Sequence, residues 1–126
     1  MTSTLNIVVG QHSEAGRKPV NQDFHGVVIP TPALLASKGV AMAMADGISS
    51  SNVSQIASAA AVRGFLEDYY LTSEAWPVRR AAQRVLQATN SWLHAQTQRS
   101  DGRFDKNRGY VCTFSALVFK DREAHL

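Results

Sequence analysis

The sequence predicts an α+β domain in which helices cover one face of an antiparallel sheet. Three observations predict it. Short apolar or alternating runs at 5–10, 23–29 and 39–45 read as strands. Two long segments of helical periodicity follow, one from residue 53 and one from residue 76. A strongly β-prone run, Tyr110–Phe119, comes after them. Strands in a run and then helices in a run argue α+β rather than alternating parallel units.

Residues 5–10, LNIVVG, put Leu5, Ile7 and Val9 on one face of a first strand. Residues 11–22, QHSEAGRKPVNQ, are polar and hold Gly16 and Pro19, which reads as a loop. Asp23 to Ile29 forms the next strand, ended by Pro30 and Pro32. Residues 39–45, GVAMAMA, alternate Val40, Met42 and Met44 with Ala41, Ala43 and Ala45. A strand packed on both faces, with a close neighbour on the small face, has this pattern; a short buried helix is the alternative.

Ser49, Ser50, Ser51 and Asn52 are helix-capping types. After them Val53, Ile56, Ala57, Ala60, Val62, Phe65, Leu66 and Tyr69 recur at helical spacing. A second helix starts near Trp76-Pro77, with proline in its first turn. Val78, Ala81, Ala82, Val85, Leu86, Ala88, Trp92 and Leu93 form its apolar stripe, and Arg79, Arg80, Arg84 and Gln87 face water. Two such helices in succession make an antiparallel pair. Residues 98–109, QRSDGRFDKNRG, are a charged loop, and KDREAHL after the last strand is a turn signal. A long apolar strand ordinarily has a neighbour to pair with. Residues 1–126 are therefore expected to be the N-terminal portion of one larger domain.

Composition bounds the function. Apolar residues are 44% and charged residues 18%, a globular balance. No run of 18 apolar residues exists, so no membrane segment is expected within the chain. The start, MTSTLNIVVG, lacks a basic n-region and a long apolar stretch, and is not a secretory signal. The single cysteine, Cys112, excludes an intramolecular disulfide and a cysteine-based zinc cluster. These features set the expected location as cytoplasmic, with membrane anchoring beyond residue 126 left open. Thirteen Lys/Arg stand against ten Asp/Glu, a net charge of +3. The basic residues spread over Arg79, Arg80, Arg84, Arg99, Arg103, Lys106 and Arg108, with only Phe104 and Tyr110 as aromatics in the basic loop. Nucleic-acid binders concentrate basic charge and interleave stacking aromatics, so no nucleic-acid partner is expected.

Two stretches carry candidate chemistry. Asp46 ends an apolar strand, precedes glycine and stands before the Ser-rich helix start. One reading is ordinary Asp-Gly turn chemistry. The other is a carboxylate at a sheet edge that holds a hard cation, with Gly47 offering its carbonyl as a second oxygen. The second stretch is Asn21-Gln22-Asp23, where Asp23 opens a strand after a loop holding Arg17 and Lys18. It reads either as a polar turn or as a carboxylate beside a cation suited to phosphate and metal. His12, His25, His94 and His125 lack ligand spacing. Cys112 reads as a small core hydrophobe. Ser49–Ser51 lie in no nucleophile elbow.

Taken together, these stretches resemble the N-terminal half of the metal-dependent Ser/Thr protein phosphatases, the PPM or type 2C family. GRKPVNQD, Gly16 to Asp23, resembles the family's Gly-Arg-rich loop ending in Asn-Glu-Asp or Asn-Gln-Asp. MADGISSSNVSQIAS, Met44 to Ser58, resembles its strand ending in Asp-Gly-x-Gly-Gly, followed by a helix rich in alanine and serine. GYVCTFSALVF, Gly109 to Phe119, resembles its Gly-x-x-Thr strand. The resemblance covers nearly the whole chain, with the motifs in the family's order. Ser49-Ser50 replaces the family's Gly-Gly, as in bacterial chains where a phosphatase domain precedes a protein-kinase domain.

The resemblance implies the N-terminal part of an α/β/β/α sandwich, with a share of both sheets and one helix pair. It implies hydrolysis of phosphoserine and phosphothreonine esters in a phosphoprotein substrate, with two Mn2+ or Mg2+ ions. Asp46 would bridge the ions, the carbonyl of Gly47 would bind one, and Asp23 would orient metal-bound water. A bridging hydroxide would attack phosphorus in line. Lys18, matched by spacing to the family's phosphate-binding arginine, or its neighbour Arg17, would hold the phosphate; lysine lacks the bidentate fork. The family also has a Gly-Asp-Ser-Arg strand and two further metal-binding aspartates. None of the acids after Asp46 (Glu67, Asp68, Glu74, Asp101, Asp105, Asp121, Glu123) stands in such a motif. The 126 residues alone are expected to turn over little substrate and to self-associate through Tyr110–Phe119. The rival readings are a non-catalytic pseudophosphatase or phosphoprotein-binding module, and an unrelated α+β binding domain.

Overall fold

A computed structural model describes residues 5–126, the side chains of Asp101 and Lys106 excepted. The chain runs β1 (Asp23–Val28), α1 (Pro32–Lys38), β2 (Val40–Gly47), α2 (Ser54–Tyr69), α3 (Val78–Gln98), two 3-10 turns (Asp101–Arg103 and Lys106–Arg108), β3 (Cys112–Lys120) and β4 (Glu123–His125). The strands form one antiparallel sheet in the order β1-β2-β3-β4. The fold class is α+β, with α2 and α3 on one face of that sheet.

The alternation in β2 sets the two faces. Ala41, Ala43 and Ala45 are at most 5% exposed and join the core under the helices. Methyl groups there let α2 lie close to the sheet. Met42, Met44 and Asp46 point the other way, and Met44 is 61% exposed. Phe65 and Tyr69 of α2, Val78, Ala81 and Val85 of α3, and Val118 of β3 fill the core. Phe65 stacks on Tyr69 at 5.8 Å and meets Phe114 edge-on at 5.4 Å. The helices run antiparallel, with Gly64 beside Thr89 and Asp68 beside Arg84.

The far end of the sheet is locked by polar groups. Buried Lys38 donates from Nζ to the Ser73 carbonyl at 2.8 Å and to Thr72 Oγ1 at 2.5 Å. Tyr69 donates its hydroxyl to the Lys38 carbonyl. Burial pushes the Lys38 ammonium below its usual range and lifts the Tyr69 and Tyr70 phenols to about 12.

Several expectations are corrected. Residues 5–10 form no strand; they run unpaired beside the open face of the sheet. All strands of the described residues lie in one sheet, so the expected share in a second sheet is not formed. Pro32 does not merely end a strand: it sits at the first turn of α1, which was not foreseen. Val53, not a serine, occupies the N-cap of α2. Ile56 is 48% exposed and Trp92 47%, because Ser54 and Ser58 take core positions on α2 and Thr97 one on α3. KDREAHL turns into β4, which pairs with Val118–Lys120.

Candidate functional site

The site grows from the register between β1 and β2. Asp23, the first residue of β1, lies directly opposite Asp46, the penultimate residue of β2. Side chains opposite one another share a face of the sheet, and for this pair it is the face away from the helices. Like charges so placed repel. The Asp23 carboxyl is accordingly pushed above its ordinary range, chiefly by its hydrogen bond with the Asp46 carboxyl, then by burial and the Asp46 charge. The charge of Lys18 pulls it the other way.

Neighbouring polar groups hold the pair in place. Asn21 Oδ1 accepts the Asp23 N–H at 3.0 Å and so fixes the start of β1. Gln22 Nε2 donates to the carbonyls of Ile48 and Ser51, each at 2.9 Å, and clamps the turn that follows β2. The Gln22 carbonyl accepts the Gly47 N–H at 3.1 Å. A side chain at Gly47 would place Cβ 2.9 Å from that carbonyl and 2.9 Å from Ser54 Cβ, so only glycine fits between the two loops.

Two of the serines expected to cap α2, Ser50 and Ser51, act as cross-ties instead, as does Ser54 of the helix itself. Ser54 Oγ accepts the Ile48 N–H at 2.8 Å and donates to the Val111 carbonyl. Ser51 Oγ donates to the Gly109 carbonyl at 2.6 Å, and Ser50 Oγ to the Asn107 carbonyl at 2.6 Å. The turn after Asp46 is thereby tied to the segment entering β3. Thr113 of β3 lies opposite Asp46, and its hydroxyl approaches the Asp46 carbonyl at 3.4 Å.

The structure thus brings Asp23, Asp46 and Gly47 together. Of the two loop cations, Lys18 is the one whose charge is felt at Asp23; both Arg17 and Lys18 are exposed. Lys18 and Asp23 form no ion pair among the described residues. His25 shares the open face, opposite Met44. Among the described residues no third His, Cys, Asp or Glu joins the carboxylates in a metal-binding group. Cys112 packs against the core, and burial pushes its thiol up, away from nucleophile chemistry.

Gln22, Ser51 and Ser54 are the positioning residues that the sequence did not disclose. The carbonyls to which they donate lie 26 or more positions away, and a serine run reads equally as a cap or a turn. The donor set is hard oxygen, and the charge of Lys18 offsets only part of what raises the Asp23 carboxyl. Oxygen donors of this kind suit a hard cation. A family model described as protein phosphatase 2C matches residues 10–126. No curated protein and no solved structure matches the chain.

Proposed function

The chain belongs to the protein phosphatase 2C family, and from that premise we propose that it carries the Asp46-centred part of a site hydrolysing phosphoserine and phosphothreonine esters with Mn2+ or Mg2+. The observation that carries this reading is the opposition of Asp23 and Asp46 across β1 and β2. Two carboxylates kept together against their own repulsion favour a cation between them or beside them.

Asp46 is the principal ligand in this reading, and the Gly47 carbonyl a second oxygen. When bound, the cation supplies charge neutralisation at the phosphoryl group and activation of water. Asp23 orients water beside Asp46 by accepting hydrogen bonds from it. Lys18 offers the phosphate a point charge, with Arg17 next in the same loop. Gln22 and Ser54 hold the turn that carries Gly47 at a fixed distance from β1. Two carboxylates do not complete such a site, and the reading puts its other ligands on chain outside residues 1–126. The open face of the sheet, with Met42, Met44 and Leu117, is where a second sheet would pack.

The absence of a third ligand among the described residues favours one alternative, a phosphoprotein-binding module without turnover. The full-length protein distinguishes them. Hydrolysis of a phosphoserine peptide should require Mn2+ or Mg2+, stop on chelation and be lost in Asp46→Asn. Peptide binding without hydrolysis under all metal conditions would establish the module instead.

A further inference from the structure

The charged loop after α3 has no role in the chemistry above, yet it is built against the site. We infer that the Arg99–Arg108 loop is a docking surface for acidic residues flanking the phosphorylated residue of a protein substrate. The inference rests on the phosphatase reading for the phosphoryl group alone; the acidic flank is argued from the loop.

The first argument is placement. Ser50 Oγ donates to the Asn107 carbonyl at 2.6 Å, and Ser51 Oγ to the Gly109 carbonyl at 2.6 Å. Ser50 lies four residues after Asp46, a chain distance of at most roughly 14 Å. An extended peptide covers that with about four residues. Asn107 and Arg108 are therefore within reach of residues about four positions from a phosphoresidue held at Asp46.

The second argument is charge. The segment holds Arg99, Arg103, Lys106 and Arg108 against Asp101 and Asp105. Asp105 is exposed, and its Oδ1 accepts the Asn107 N–H of its own loop at 3.0 Å, which leaves four basic residues in the segment against two acidic ones. Arg99, Arg103 and Arg108 are exposed, and none forms an ion pair among the described residues. Arg103 stacks over the Phe104 ring at 4.5 Å, with Phe104 itself 81% exposed. That pairing offers a carboxylate partner and an apolar contact side by side.

The third argument is rigidity, which lowers the entropy lost on binding. Gly102 packs so closely on Gly109 that a Cβ at Gly102 would come within 2.5 Å of the Gly109 Cα. Thr97 Oγ1 accepts the Tyr110 N–H at 3.0 Å and donates to the Leu93 carbonyl. The loop is thus pinned at α3, at its own neck and at the turn after β2. One stacked aromatic and scattered arginines suit an acidic peptide better than a nucleic-acid strand, which needs a run of stacking platforms.

The test uses fluorescent peptides in two pairs, phosphorylated and unphosphorylated, flanked either by Asp/Glu or by Gln. Acid-flanked peptides should bind the wild-type chain about fivefold more tightly at low salt than Gln-flanked ones, in both pairs. Arg103→Gln/Arg108→Gln should erase that ratio while leaving hydrolysis of a small generic phosphate ester by the full-length protein unchanged. Equal binding of the two flanks, or a ratio that survives the double substitution, overturns the inference. An oligonucleotide of equal charge that outcompetes the acidic peptide also overturns it. Absent ester hydrolysis with the flank ratio intact would sink the phosphatase reading and leave the docking surface standing.

Discussion

Asp23 and Asp46 sit opposite one another at the open ends of β1 and β2, and the Asp46 carboxylate raises the proton affinity of Asp23. The cation proposed above would relieve such a pair. Its persistence against repulsion is the physical basis of the cation reading, and it makes the pair a measurable liability in the metal-free chain.

That liability sets the first prediction. The folded-state pKa of Asp23 lies above its value of 3.8 in the unfolded chain. Its favourable contribution is therefore complete below that value and is lost as pH rises through the raised pKa. Asp23→Asn should stabilise the metal-free chain at pH 7, by about 0.5 kcal/mol after discounting for solvent screening. The gain should vanish on acidification and shrink with added salt. Chemical denaturation at the two pH values measures it; a loss of stability at pH 7 contradicts the repulsion.

Gly47→Ala tests the close approach of the two loops. The new Cβ would meet the Gln22 carbonyl and Ser54 Cβ at 2.9 Å, both on packed segments. The expected cost is about 1–3 kcal/mol, seen as a lower denaturation midpoint. An unchanged midpoint would mean that the loops move apart freely.

Ser54→Ala probes the cross-tie under the site. Its hydroxyl is fully buried and serves both the Ile48 N–H and the Val111 carbonyl. Removing it leaves two part-buried backbone groups without this partner, a loss of about 1–3 kcal/mol. Ser58→Ala on the same helix is the control, because Ser58 Oγ has no hydrogen-bond partner. Near-equal losses in the two variants would contradict the assignment.

The fold class and the two carboxylates were legible because each rests on local pattern. Alternation made β2 readable, and the two acids stand at strand ends, Asp23 opening β1 and Asp46 near the close of β2. Residues 5–10 misled because their alternation had no partner strand to satisfy. Ile56 misled because α2 turns Ser54 and Ser58 inward, where Ser54 is tied to backbone and both small side chains fit under the helix. Gln22 was invisible because its role depends on a turn 26 positions away.

Self-association is the fourth prediction, and the open face of the sheet is the place to probe it. β4 covers only Val118–Lys120 of β3, and Val118 is buried, so a lysine there would damage the core. The apolar groove on the open face, about 550 Å3 and lined by Met42, Met44 and Leu117, is the better target. Light scattering at high micromolar concentration should show association, weakened by Met44→Lys. A stable monomer would contradict it.

The most direct test is a calorimetric titration of the 126-residue chain with Mn2+, repeated on Asp46→Asn. Two carboxylates without a third ligand should give a weak, saturable site, with a dissociation constant of about 10⁻⁴ M or weaker, that disappears in the variant. Binding that survives Asp46→Asn, or submicromolar affinity in the wild-type chain, would contradict the site built on Asp23 and Asp46.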